Sequence, residues 1–286
     1  MYLAYSSNGF TRVDLPAALR GIAAAGFRGA ELLFDRPHFT PADLTGEGLA
    51  RLRGVLRETG LRVSNINANT AVALWPAPPP EPVFEPSLSN VDASVRAKRL
   101  AYSRAAVDLA VAVGAGCVSV TSGRTQAHVP PEDGFACFAE ALGELCDYAD
   151  ARGVRIGIEY EPALLCERAT EVAAVIGAVG HRALGVNLDL GHALCAGEDP
   201  VESIALLAGR IWNVHLEDIR GGKHHHRIPG DGDVDFRRLL LALRAHGYDG
   251  PLTVELYTCS DIADEAATRA HAHLAPLLNA LDPESP

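Results

Sequence analysis

Basic charge is scarce in this chain. Lysine appears only as Lys98 and Lys223, arginine supplies nearly all the other positive charge, and the net charge is −11. That deficit excludes a general affinity for phosphate backbones, which needs a basic surface. A small basic pocket for a sugar or a phosphate stays compatible with it. The six cysteines (Cys117, Cys137, Cys146, Cys166, Cys195 and Cys259) include no CxxC pair and no regular spacing. A cysteine-built metal site is therefore not indicated, and most are expected as reduced, buried small hydrophobes. No apolar run approaches the roughly 18 residues that span a bilayer. The opening MYLAYSSNG lacks the basic start and long apolar stretch of a secretory signal. A soluble, cytoplasmic protein is the expectation, with neither nucleic acid nor membrane as partner.

What the chain does have is rhythm. Apolar, strand-like runs at 2–5, 29–33, 62–66, 117–121, 154–159, 184–190, 211–216 and 252–257 alternate with helix-period segments near 14–25, 47–59, 93–113, 132–152, 169–179, 200–208, 235–246 and 262–280. Gly26, Gly60, Gly114, Gly153, Gly180 and Gly247 stand where helix-closing residues belong. Eight strands each followed by a helix predict a single-domain (β/α)8 TIM barrel over 1–286, near the typical length of about 250 residues. A doubly wound sheet is the alternative, but SSNGFTRVD after the first strand is no Gly-rich phosphate loop. One segment breaks the pattern: 68–92 is a Pro-rich connection after the third strand, on the face where a barrel carries its active site. Its Trp75 and Phe84 either cap a substrate or pack the loop onto the rim or a neighbouring subunit.

Four segments of the second half, GIEYEP, VNLDLGH, WNVHLED and TVELY, each end an apolar run on a side chain able to bind metal. These are Glu159, Asp189, His215 and Glu255, spaced 30, 26 and 40 residues apart, which suits successive βα units. Such spacing brings all four to the same end of consecutive parallel strands. Three carboxylates and an imidazole suit one hard-leaning divalent cation, with Mn²⁺ expected, Mg²⁺ or Co²⁺ as alternatives and Zn²⁺ less favoured. A shared cation also removes the large penalty of ending buried strands on unpaired charges. The plainer alternative is that each acid pairs with an arginine or caps a helix.

Weaker candidates surround this set. His192 in DLGH, read as the start of a loop, is placed to contact a substrate oxygen or to orient a ligand. In HHHRIPGDG, the turn after Arg227 would fix His226 or Arg227 over the mouth, with His224 and His225 less indicated. Glu161 faces the mouth or pairs on the rim. Asn67 and Asn69 suit a polyhydroxylated ligand or cap a loop, and Arg124 meets an anionic group or forms a rim ion pair.

These residues give the chain a family likeness. It resembles a xylose isomerase-like barrel of the sugar phosphate isomerase/epimerase superfamily, which includes ketose 3-epimerases, hydroxypyruvate isomerases, inosose dehydratases and metal-dependent apurinic endonucleases. The likeness covers almost the full length and rests on SLSNVDASVRAKRLAYSRAAVDLAVAVGAGCVSV, IEYEP, NLDLGH, VHLED and RIPGDGDVDF. It implies one metal held by Glu159, Asp189, His215 and Glu255, with Glu159 and Glu255 also moving protons and His192 contacting substrate. It further implies a sugar or hydroxy-ketone substrate and a homo-oligomer. Two features depart from the epimerase pattern: Glu161 follows Glu159 by two residues rather than several, and the family arginine aligns with either His226 or Arg227.

The chemistry implied is isomerisation or epimerisation by proton abstraction next to a carbonyl, through an enediolate that the metal stabilises. Loss of a β-hydroxyl at the same site would instead make a lyase acting on a keto-sugar or inosose. The endonucleases carry three zinc ions and further histidines on strands 3 and 4, whereas these end here in NINAN and SVTSG. A sugar-binding barrel without catalysis has little use for two opposed glutamates.

Overall fold

A computed structural model describes residues 1–77 and 84–281. Eight parallel strands close into a barrel: β1 (Tyr2–Ser6), β2 (Gly29–Leu33), β3 (Arg62–Asn67), β4 (Cys117–Val120), β5 (Arg155–Ile158), β6 (Leu184–Asp189), β7 (Ile211–Leu216) and β10 (Pro251–Val254). The remaining two, β8 (Asp218–Arg220) and β9 (Lys223–Arg227), form an antiparallel hairpin outside the barrel. The helices are α1 (Leu15–Ala24), α2 (Gly46–Thr59), α3 (Ala93–Val113), α4 (Pro131–Asp150), α5 (Ala169–Val179), α6 (Leu190–Cys195), α7 (Pro200–Leu206), α8 (Phe236–Ala245) and α9 (Ala263–Asn279). All eight expected strands and all eight expected helices are present. Among the described residues, no helix is long and apolar enough to cross a membrane, and all six cysteines are free.

Alternation along the strands explains why the barrel closes. Ile156 and Ile158 of β5, Val186 and Leu188 of β6, Val214 and Leu216 of β7, and Leu252 and Val254 of β10 are fully or almost fully buried and belong to one apolar core with the helices. The residues between them turn inward, and there the sequence is polar. Asn187, Asn213 and Thr253 stand two residues before Asp189, His215 and Glu255, so they share the inward face. Asn213 donates to Asn187 Oδ1 at 2.7 Å and accepts from Thr253 Oγ1 at 2.9 Å, which makes a hydrogen-bonded floor beneath the mouth.

Gly157 is the corresponding position on β5. A Cβ there would lie 2.9 Å from the backbone nitrogen of Asn187. Gly157→Ala is therefore expected to destabilise the barrel by about 1–3 kcal/mol through overpacking. The urea midpoint measures this, and an unchanged midpoint would show that β5 and β6 are not packed as closely as described.

Two local features differ from the sequence reading. His192 does not open a loop but lies in α6, a six-residue helix that starts directly after β6. That run is too short for its period to register as helical. The segment after β7 is also no simple loop but the β8–β9 hairpin, where Gly221 and Gly222, at φ 60° and 65°, supply the two left-handed positions of a tight turn. Strand limits also shift slightly, since Glu159 and Glu255 stand one residue beyond β5 and β10. Residues 78–83 of the Pro-rich connection lie outside the described residues.

Candidate metal centre

Glu159, Asp189, His215 and Glu255 converge at the C-terminal mouth, with one potential ligand atom from each lying within 4.8 Å of the others. All four are buried, His215 and Asp189 completely. His215 turns Nδ1 toward the acids: Glu159 Oε2 at 3.3 Å, Glu255 Oε2 at 3.6 Å and Asp189 Oδ2 at 3.8 Å. Its Nε2 faces the other way, 2.7 Å from Glu31 Oε2.

The acids are held so that one oxygen of each is occupied by the protein. Glu255 Oε1 accepts from the amides of Asn8 at 2.7 Å and Asn67 at 3.1 Å. Asn187 donates to Glu159 Oε2. Asp189 Oδ1 accepts the backbone N–H of His192 at 2.7 Å and so caps α6. Helix capping and metal binding, set against each other as alternatives in the sequence, are thus divided between the two oxygens of one residue. Asp189 Oδ2 is buried with no N–H donor among the described residues, and the adjoining Glu217 carboxyl can meet this acid only by sharing a proton with it. A buried carboxylate oxygen without a donor is costly, and a cation satisfies it.

The charges fit the same reading. Burial opposes charge on His215, but Glu31, Glu159 and Glu255 outweigh it and hold its pKa well above the usual range. Burial pushes Glu255 up to about 8; His215 pulls the other way, while Glu159, Glu31 and Asp189 add to the rise. Burial also raises Asp189, yet His192 and His226 overcome it and keep that acid well below the ordinary range. Protons here hold together a group of acids that a divalent cation would hold better. The donor set is oxygen-rich with one imidazole nitrogen, and it suits such an ion.

Above this centre stands a cluster of three histidines. His192 Nδ1 lies 2.9 Å from the carbonyl of Tyr160, and His226 Nδ1 lies 2.8 Å from that of Glu255. Each Nδ1 must therefore carry a hydrogen, so each neutral ring offers a lone pair at Nε2. Both Nε2 atoms meet His224 Nε2, at 3.0 and 3.2 Å. His192 Nε2 is also 3.6 Å from Asp189 Oδ2. This trio too has the donor set for a cation. The hairpin explains its membership: His224 and His226 share one face of β9, and His225 points to solvent on the other.

The remaining candidates are distributed unevenly. Arg227 lies opposite Asp218 in the hairpin register, and its guanidinium has no hydrogen bond among the described residues. Burial, with Glu159 and Asp189 nearby, raises Glu161 to about 7 against the pull of His192 and Arg124. Asn67 directs its amide at Glu31 and Glu255. Asn69 contributes its carbonyl to Thr121 and Arg99, while its Oδ1 is buried and unpartnered. Trp75 donates Nε1–H to the Glu85 carbonyl at 2.7 Å. It lines a separate cavity of about 610 Å³ with Leu74, Lys98 and Arg124.

Several participants escaped the sequence reading. Glu31 sits alone among apolar residues in GAELL and is fully buried. An isolated acid in a strand was the signal for it. Asn187 and Asn213 stand two residues before Asp189 and His215, a spacing that puts them on the inward face but does not by itself single them out. Glu217, two residues after His215, is buried, and burial together with the charge of Asp189 raises its pKa well above the usual range. A Cβ at Gly191 would meet Glu217 Oε1 at 1.5 Å, so the glycine of DLGH leaves that acid its space. Asn8 follows the first strand in SSNG and carried no sequence signal.

A family model described as a xylose isomerase-like TIM barrel matches residues 19–277. The chain belongs to that family. It is 24% identical over 254 residues to a fructoselysine 3-epimerase of Shigella flexneri, covering 87% of this chain and 88% of that protein. An inosose dehydratase of Clostridium perfringens is 25% identical over 171 residues, which is 53% of this chain and 58% of the relative. Among solved structures, a D-tagatose 3-epimerase-like protein superimposes with a TM-score of 0.83 at 20% identity, over 99% of each chain.

Proposed function

We propose that this family member is a divalent-metal-dependent sugar isomerase or epimerase that moves a proton next to a carbonyl. The observation that carries the reading is the convergence of three buried carboxylates on His215 Nδ1, with Asp189 Oδ2 left without an N–H donor. The relatives support the substrate class, a keto-sugar or a related polyol ketone. Glu159, Asp189, His215 and Glu255 would hold the cation, of which Mn²⁺ best suits the oxygen-rich set. When bound, it supplies Lewis-acid polarisation of a carbonyl and its neighbouring hydroxyl.

The protein's own groups perform the proton transfers. Glu159 and Glu255 follow β5 and β10, which β6 and β7 separate around the barrel. The two acids therefore reach a substrate from different directions, one to take the proton and the other to return it. Asn8 and Asn67 fix Glu255 on one oxygen, and Asn187 does the same for Glu159, which keeps both pointed inward. His192, His226 and Glu161 line the approach, where they would contact substrate oxygens.

The test is solvent exchange. Incubated in D₂O with Mn²⁺ and a panel of ketoses, inososes and conjugated keto-sugars, the protein is expected to place deuterium at the carbon next to the carbonyl of a cognate substrate, read by NMR. Appearance of the C3 epimer or the aldose fixes the reaction. Loss of a β-hydroxyl with formation of an unsaturated ketone would make it a lyase instead. No exchange in any member of the panel, with metal bound, would leave a binding protein.

A further inference from the structure

Glu31 reaches the metal centre from across the barrel. It stands on β2, is fully buried, and is not one of the four residues whose ligand atoms converge. Its Oε2 meets His215 Nε2 at 2.7 Å and accepts from Asn65 at 2.8 Å. Asn213 lies further off on the same oxygen, at 3.4 Å. Its Oε1 accepts from Asn67 at 3.1 Å. The Asn67 amide makes a second 3.1 Å bond to Glu255 Oε1. One acid thus braces a ligand on β7 and another just beyond β10.

We infer that Glu31 is a positioning residue that selects which nitrogen of His215 faces the cation and, through Asn67, sets the orientation of Glu255. This rests on the metal-dependent reading above. A carboxylate only accepts, so the His215 nitrogen beside it carries the hydrogen. With the hydrogen of Nε2 committed to Glu31, Nδ1 is the nitrogen that gives up its proton to a cation, on the side of Glu159, Asp189 and Glu255. The three asparagine amides around Glu31 are all donors, and they hold it as an anion with both oxygens in use.

Glutamine has nearly the same shape and fails on this logic in either orientation. If its NH₂ takes the Oε2 position, it donates to Nε2, moves the ring hydrogen to Nδ1 and blocks the metal-facing nitrogen. If its NH₂ takes the Oε1 position, two amide donors confront each other at Asn67 and the link to Glu255 breaks.

The experiment compares wild type with Glu31→Gln and Asn65→Ala. Mn²⁺ affinity is measured by calorimetry, and the coordinating nitrogen is identified in ¹⁵N-histidine protein loaded with ¹¹³Cd²⁺. Glu31→Gln is expected to weaken Mn²⁺ binding roughly 10- to 100-fold and to shift or split the cadmium coupling away from Nδ1. Asn65→Ala, which keeps acid and ligand but removes one amide from Oε2, is expected to lose a few-fold by the same reasoning. It serves as the test should Glu31→Gln not fold. Binding within about twofold of wild type in both variants, with coupling still at Nδ1, overturns the role of Glu31 alone. A wild-type protein that holds no ion overturns the metal-dependent reading and this inference with it.

Discussion

Exchange of the proton next to the carbonyl falls by about 10²–10⁴-fold in Glu159→Gln and in Glu255→Gln, the range that a positioned acid or base contributes. Each substitution keeps the side-chain volume and removes the charge that a cation and a migrating proton both require. Because the two acids also count among the candidate ligands, the variants must be tested at saturating Mn²⁺, with bound metal measured beside the rate. A rate that stays low when the site is full assigns the loss to proton transfer. A rate restored by excess Mn²⁺ assigns it to metal binding, and the acid/base role moves elsewhere, with Glu161 next in line because burial holds it near 7. Wild-type exchange in both variants would remove these residues from the chemistry.

The two glutamates were legible because each ends an apolar run where a buried charge has no ordinary reason to be. The same signal marks Glu31, which interrupts GAELL, but that strand lies outside the series of consecutive strands that carry the ligand candidates. Asn187 and Asn213 show a different limit. Each stands at an interior position of a strand, where an amide reads as an unremarkable polar residue until its partners across the barrel are known. Nothing in the sequence states that Asn8 reaches Glu255, since 247 residues separate them. Contacts made by closing a barrel are long-range by construction, and local pattern does not encode them.

The fold itself was far more legible, because its information is local. Periods of two and of 3.6, together with glycines such as Gly60, Gly114 and Gly180 in left-handed helix-closing positions, mark each βα unit separately. What period could not show was the short α6 and the hairpin, both below the length at which a pattern repeats. Those two elements carry His192, His224 and His226. The architecture is therefore legible from local pattern, whereas the two short elements that carry the three histidines are not.

Metal loading raises the melting temperature, and it raises it more at pH 8 than at pH 6. The sign follows from Glu255. Its pKa in the folded protein, about 8, lies above the ordinary 4.5. Protonation therefore favours the fold fully below about 4.5, and that contribution is lost as pH rises through about 8. His215, also raised, loses its contribution in the same direction. A cation displaces both protons and removes the repulsion that grows as they leave. Apparent Mn²⁺ affinity is expected to climb roughly tenfold per pH unit for each proton displaced. At a hundredfold excess over the dissociation constant, the loaded protein gains about 2.7 kcal/mol, on the order of 5–10 °C in melting temperature. Glu255→Gln supplies the internal control: one displaced proton disappears, so the slope of log affinity against pH drops by about one. A slope of zero in the wild type between pH 6 and 8 contradicts the picture of acids held together by protons until a cation arrives. An unchanged slope in the variant means that the displaced proton comes from another group, with buried Glu217 the nearest candidate.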